Sequence, residues 1–308
     1  MSVELEHKLE KIPVVKYIVR FGKSIKLPYS EGLTLYHLTE LYITGIVNGD
    51  ISYRAGAIAF SFFMSLFPFA LFILNLIPYI PVEGFQEDFL DFVAQNVPPN
   101  TFDAISGIIE DITNTSYNSL LSTGILLAIL LMSNGMNAIL SGFQSSMHIT
   151  VKRTYFRQYA LAIALSLVLT VLLIITVTAI ITFEVIIHSL KSSGFLTDDV
   201  YLLEIGRYVF LVLMVLTTTS LLFKFAAKET RNSAFFSYGS VFTTILFAVT
   251  SYLFGIYVVR FAQYNELYGS IGTLLVFMIY LWINCFILLM GFDLNALIHK
   301  LKRKNLYI

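Results

Sequence analysis

The run IGTLLVFMIYLWINCFILLMGFDLNAL, Ile271 to Leu297, carries a single charged residue, Asp293, and runs almost directly into the basic stretch HKLKRKN, His299 to Asn305. Crossing a hydrocarbon core takes about 20 apolar residues in a helix, so this run is long enough to span a bilayer and is stopped by a cluster of cations. Five other runs meet the same length requirement, at approximately 55–79, 119–141, 159–187, 207–227 and 237–260. None shows the polar/apolar alternation of a membrane strand. The expected fold class is therefore an all-α integral membrane protein with six transmembrane helices.

Composition agrees. Hydrophobic residues make up 57% of the chain and charged residues 13%, where a soluble globule has about a quarter of its residues charged. The net charge is zero, so only the distribution of charge is informative. With the N-terminus placed inside, all but three of the 20 Lys and Arg residues fall on the cytoplasmic side, the exceptions being Lys191, Arg207 and Arg260. That is the bias expected of inner loops. The first outer loop, 81–118, holds no Lys or Arg but carries Glu83, Glu87, Asp88, Asp91, Asp103, Glu110 and Asp111. Both termini are expected in the cytoplasm.

Three regions are predicted: residues 1–54 as cytoplasmic and interfacial helices, 55–297 as the six-helix membrane domain, and 298–308 as a basic cytoplasmic tail. Within the first, Leu35, Leu38, Tyr42 and Ile46 form one helical stripe over 33–47. In the outer loop, Phe85, Phe89, Phe92 and Val93 share a face, as do Phe102, Ile105, Ile108, Ile109 and Ile112 beyond Pro98 and Pro99. This pattern predicts an external amphipathic helical hairpin within 81–118. Pro68 lies near the middle of the first span. It removes one backbone donor and leaves the carbonyl of Met64 without its partner, so a kink is expected there.

RAGAIAFSFFMSLFP, Arg54 to Pro68, and YGSIGTLLVFMIYLWINCFILLMGFDLNA, Tyr268 to Ala296, resemble the signature stretches of the YihY/virulence factor BrkB family, which has also carried the name ribonuclease BN. NGMNAILSGFQSSMHITVKRTYFRQYALA, Asn134 to Ala162, resembles that family's linker between the second and third spans. Gln144, Met147 and Asp293 depart from it, standing where relatives commonly have Asn, Tyr and Glu. The resemblance implies a multi-pass protein of the bacterial inner membrane.

The inherited ribonuclease name can be weighed against the residues. Metal-dependent cleavage of RNA needs clustered His and Asp/Glu to hold a cation that activates water. The five histidines, His7, His37, His148, His188 and His299, are scattered along the chain. A phosphate loop, a Gly-x-Ser-x-Gly elbow and a His-Glu-x-x-His helix are all missing. The lone cysteine, Cys285, cannot make an intrachain disulfide or a thiolate metal site. The expectation is a non-enzyme with no cofactor, no bound metal and no nucleic-acid partner.

Polar groups inside apolar spans are costly and are therefore the candidate functional sites. On the second span, Ser133, Asn137 and Ser141 recur every four residues, with Asn134 beside them and Gln144 following. On the last span Asn284 and Asn295 share a face with Gly291, while Asp293 points away from them. These residues, Ser133, Asn134, Asn137, Ser141, Gln144, Asn284 and Asn295, are the candidate lining of a cavity. Arg54, Lys224 and Asp293 are the candidates for charge pairing within the membrane. The fourth span adds Thr217, Thr218, Thr219 and Ser220, and the first a small face of Ala57, Ser61 and Ser65. The plainer reading gives each of these a hydrogen bond to a neighbouring helix and nothing more. Two functions stay open: a transporter or flippase for an amphipathic or lipid-related envelope substrate, and a non-catalytic scaffold for envelope machinery. The partners are membrane lipids in either case.

Two outcomes follow. Reporter fusions should place 81–118 and 189–206 outside, and 142–158, 228–236 and 298–308 inside; a C-terminus reached only from the external face would undo the charge argument. The purified chain should also cleave no RNA with added divalent cations. Cleavage that co-purifies with it and is lost in His148→Ala or Asp293→Ala would make it a nuclease.

Overall fold

The computed structural model describes residues 50–76, 120–146, 149, 153–192, 201–226, 234–261 and 265–305. The interfacial helix expected at 33–47, the external hairpin and the ends of the chain lie outside these residues. Among the described residues there are six α-helices and no strand: α1 Asp50–Leu76, α2 Leu120–Gln144, α3 Tyr155–Ser192, α4 Tyr201–Ala226, α5 Tyr238–Phe261 and α6 Asn265–Asn305. Every apolar run read from the sequence overlaps one of them. Five are long and apolar enough to cross a membrane, through Leu126–Gln144, Tyr155–Phe183, Ile205–Ala226, Tyr238–Tyr257 and Leu274–Lys300. The helix α1, with Asp50 and Arg54 in its first two turns, is not among those five. It stays helical through Pro68.

Two helices run further at both ends than the apolar windows that predict them. Helix α3 begins at Tyr155, not 159, and α6 extends from Asn265 to Asn305. The physical reason is that lipid demands a helix, because every backbone group must be satisfied internally, but leaving lipid does not end one.

The described helices fall into two compact units. The first contains α1 as far as Phe60, α2 from Ala138, the turn to Arg153, α4 from Thr219, and all of α5 and α6. Its axis is α6: residues 287–296 are all buried, the two polar side chains Asp293 and Asn295 included. Against it, Phe143 of α2 stacks on Phe292 with ring centres 4.4 Å apart, and Phe223 of α4 meets both rings edge-on at 5.7 and 5.8 Å. Three helices are thus pinned by three rings.

Helix α5 packs along α6 in the opposite direction, since Gly239 meets Gly291 at one end and Phe254 stacks on Tyr280 at the other. Both glycines are required by proximity. A Cβ on Gly239 would fall on the carbonyl oxygen of Gly291, and a Cβ on Gly291 on the hydroxyl of Thr243. Close backbone approach through small residues is the usual means of tight helix association in lipid.

The second unit holds α1 from Ser61, α2 to Asn137, α3, and α4 to Thr218. Here Gly135 of α2 lies against Ser65 of α1, whose hydroxyl donates to the carbonyl of Phe62 at 2.8 Å. Large apolar side chains face outward on α3 (Val168, Val171, Ile175) and on α5 of the first unit (Ile245, Val249, Tyr252, Leu253). Such faces suit lipid; a water-soluble chain keeps exposed apolar patches small.

Candidate functional site

The most heavily constrained polar group lies where α1, α2 and α6 meet. Arg54 and Ile58 are one turn apart on α1, and Leu289 and Asp293 one turn apart on α6, so each pair shares a helical face. Gly142 of α2 closes the junction. A Cβ there would clash with Ile58 and sit 3.2 Å from Leu289. With no side chain in the way, the Arg54 guanidinium reaches all three helices. Its Nη1 donates to the carbonyl of Gly142 at 2.9 Å, its Nη2 to Asp293 Oδ2 at 3.1 Å, and its Nε to the carbonyl of Asp50 at 3.4 Å. The side chains are 16% and 7% exposed. The second carboxylate oxygen, Asp293 Oδ1, is buried and has no partner among the described residues. On the same stretch of α1, the carbonyl of Ser52 accepts from Trp282 Nε1 at 3.3 Å, a second tie to α6.

Of the three charges picked out for pairing, Arg54 and Asp293 are brought together. The Lys224 ammonium lies over the ring of Phe235, 5.7 Å from its centre.

The polar residues of α2 have separate fates. Ser133 is buried and donates back to the carbonyl of Ile129 at 2.6 Å. Asn134 is exposed and its Oδ1 accepts from the Tyr159 hydroxyl at 3.1 Å. Asn137 accepts from Gln158 Nε2 at 2.8 Å. Ser141 is exposed, and its carbonyl accepts from both the backbone and the hydroxyl of Ser145. Gln144 is buried; its Oε1 accepts from the backbone N–H of Arg153 at 3.0 Å, and its Nε2 has no partner among the described residues.

On α6, Asn284 donates to the carbonyl of Tyr280 within its own helix at 2.8 Å. Asn295 serves the start of α5. The first four N–H groups of a helix have no partner inside it, and Asn295 Oδ1 accepts that of Gly239 at 2.9 Å while its Nδ2 donates to Ser237 Oγ at 2.6 Å. Ser237 and Ser240 complete the cap by accepting one another's backbone N–H at 3.3 and 3.0 Å, a serine version of the capping box. The hydroxyl-rich stretch of α4 meets α5 where Thr219 and Thr244 lie 3.3 Å apart.

Several of these partners do not stand out in the sequence. Gln158 and Tyr159 had a signal, as polar and aromatic residues at the head of a long apolar run. Arg153, which donates to the last carbonyl of α4, that of Ala226, reads in sequence only as an inner-loop cation. A cation there complements the negative end of the helix dipole. Among the described residues, no group of three or more His, Cys, Asp or Glu is placed to hold a metal ion.

The family model described as Virulence factor BrkB matches residues 42–306 of the chain. A Bacillus subtilis protein named as ribonuclease-like, YfkH, is 30% identical over 252 residues, covering 81% of this chain and 90% of its own. A UPF0761 membrane protein of Coxiella burnetii is 24% identical over 250 residues, covering 78% and 85%. Another from Pseudoalteromonas translucida is 24% identical over 268 residues, covering 83% and 84%. No solved structure matches.

Breaking a buried ion pair from one side strands the other charge and costs about 3–5 kcal/mol, whereas a well-packed apolar replacement of both partners is near neutral. Asp293→Ala should therefore destabilise the chain by that amount in detergent unfolding. The double variant Arg54→Met, Asp293→Leu should recover most of the loss. Equal losses in the single and double variants would mean that the junction depends on something other than the pair.

Proposed function

The chain belongs to the virulence factor BrkB family, and from that premise we propose that it is a six-span protein of the bacterial inner membrane, with both termini cytoplasmic, that moves an amphipathic or lipid-related substrate. The sixth span is α1. The observation that carries the transport reading is the exposure of Asn134 and Ser141 within a membrane-crossing stretch of α2. They are seven residues apart, about 20° from alignment on an ideal helix, and so lie on one stripe. An amide and a hydroxyl held at the surface of a span are poor company for hydrocarbon. Water or a polar headgroup suits them better.

A scaffold is the second reading, and the Asn137–Gln158 and Asn134–Tyr159 hydrogen bonds favour it, because an amide used to join two helices is less free to meet a substrate. The same proposal holds that the chain is not a nuclease. The ribonuclease-like name belongs to the Bacillus relative, and none of the polar contacts among the described residues assembles a general acid and base around a cation.

The two readings separate by thiol chemistry. In a Cys285→Ser background, Asn134→Cys and Ser141→Cys should react with a membrane-impermeant maleimide at least about tenfold faster than Leu131→Cys and Ile139→Cys, because only a wetted thiol ionises to the reactive thiolate. Uniformly slow reaction at all four positions in folded protein would leave the scaffold as the better description.

A further inference from the structure

We propose that Arg54 is the receptor for an anionic phosphate headgroup and that Asp293 takes up a proton when the headgroup binds. This rests on the transport reading for its context, and it names the substrate class and the co-substrate of that activity.

The starting point is the cost of the ion pair. As a tie between α1 and α6, two charges in an apolar junction offer little that packed hydrocarbon would not. The junction already has such packing in Ile58 and Leu289, and a second polar tie in Trp282 and Ser52. The pair is also incompletely used. The guanidinium has five N–H donors, of which Nε and one each on Nη1 and Nη2 are engaged. Asp293 Oδ1 accepts nothing among the described residues though it is buried. Donors left over on the cation and an acceptor left over on the anion are what an exchangeable pair requires. A planar guanidinium matches a phosphate with two parallel hydrogen bonds.

Charge balance supplies the second half. Among the described residues, the junction holds one cation and one anion. From α1 the only charged side chain directed at Asp293 is Arg54, and Asp50 contributes its carbonyl. Helix α2 has no ionisable residue between Leu120 and Gln144, Arg153 beyond it donates to the carbonyl of Ala226, and α5, on the opposite face of α6, carries only Tyr238, Tyr252, Tyr257 and Arg260. Lys224 of α4 is occupied with Phe235, and His299 and Lys300 lie more than a turn further along α6. A phosphate anion that takes the guanidinium would leave Asp293 as a buried charge without a counterion, which is strongly unfavourable. A proton from solvent removes that charge. The exchange is balanced: the anion and one proton enter, the Arg54–Asp293 pair opens, and an Arg54–phosphate pair and a neutral carboxyl remain.

Trp282, the single tryptophan of the chain, bonds to α1 beside the junction and reports on it. Purified full-length protein in nonionic detergent would be titrated with dihexanoyl phosphatidylglycerol, dihexanoyl phosphatidylcholine and dimethyl phosphate. Trp282 emission and proton uptake, the latter by a pH dye in weak buffer near pH 7, would be followed. Phosphatidylglycerol should change the emission and take up about one proton per lipid bound, while phosphatidylcholine should take up none. Dimethyl phosphate acting at similar concentration would identify the free anion as the ligand; action only by the lipid would identify the headgroup on its chains. Asp293→Asn should bind phosphatidylglycerol without proton uptake, and Arg54→Lys should bind it at least about tenfold more weakly. Phosphatidylglycerol that does not bind, that binds without protons, or that matches phosphatidylcholine in uptake overturns the proposal, and these wild-type comparisons decide it even where a variant does not fold. Proton-linked binding in a protein whose α2 thiols stay inert would keep this site and remove transport; reactive thiols with proton-free binding would do the reverse.

Discussion

A guanidinium largely enclosed among helices has to be answered by an opposite charge and by carbonyl groups, and the arrangement around Arg54 follows from that requirement. Asp293 must sit opposite it on α6, which fixes the rotation of that helix. The carbonyl of Gly142 must come within 2.9 Å, which only a residue without a side chain permits between Ile58 and Leu289. Once α6 is turned so that Asp293 meets α1, Gly291 and Asn295 are turned towards α5, because residues two apart on a helix lie about 200° from one another. The ion pair and the glycine contact are opposite faces of one helix whose orientation is set once. Phe292, between them, then meets Phe143 and Phe223.

Polar side chains inside the spans are put to two uses. In the unit built around α6, they complete helix ends and tie helices together: Asn295 serves the first turn of α5, and Arg153 the last carbonyl of α4. On α2, Asn134 accepts from Tyr159 of α3, and Asn134 and Ser141 keep exposed surface within a stretch long and apolar enough to cross a membrane. The first use is architecture and would be found in any stable bundle. The relatives carry two kinds of name, ribonuclease-like and membrane protein, and the five long apolar helices agree with the second.

The composition and the apolar runs were enough to place the six helices of the described residues, because a backbone in hydrocarbon has almost no alternative to a helix and the length of each run is set by the bilayer. Helix ends were less legible. Tyr155, Phe156 and Arg157 open α3 ahead of the apolar run read from 159, since a hydropathy window registers the solvent of a side chain and not the hydrogen bond of its backbone.

Arg54 and Asp293 were recognisable in the sequence as charges in costly positions, Asp293 with two conceivable partners, Arg54 and Lys224, but which pair forms was not. That is decided by α1 and α6 meeting across 239 residues of chain, while Lys224, equally available by sequence, meets an aromatic ring. The same holds for the amides of α2. Periodicity put Ser133, Asn137 and Ser141 on one stripe, but a stripe does not say what it faces, and only the approach of α3 makes Asn137 a partner of Gln158 while Asn134 and Ser141 keep exposed surface. The sequence determines which helices exist, because bilayer and backbone act locally. Which polar groups are buried against a partner and which stay exposed depends on neighbours distant in the chain, and that only the tertiary structure decides.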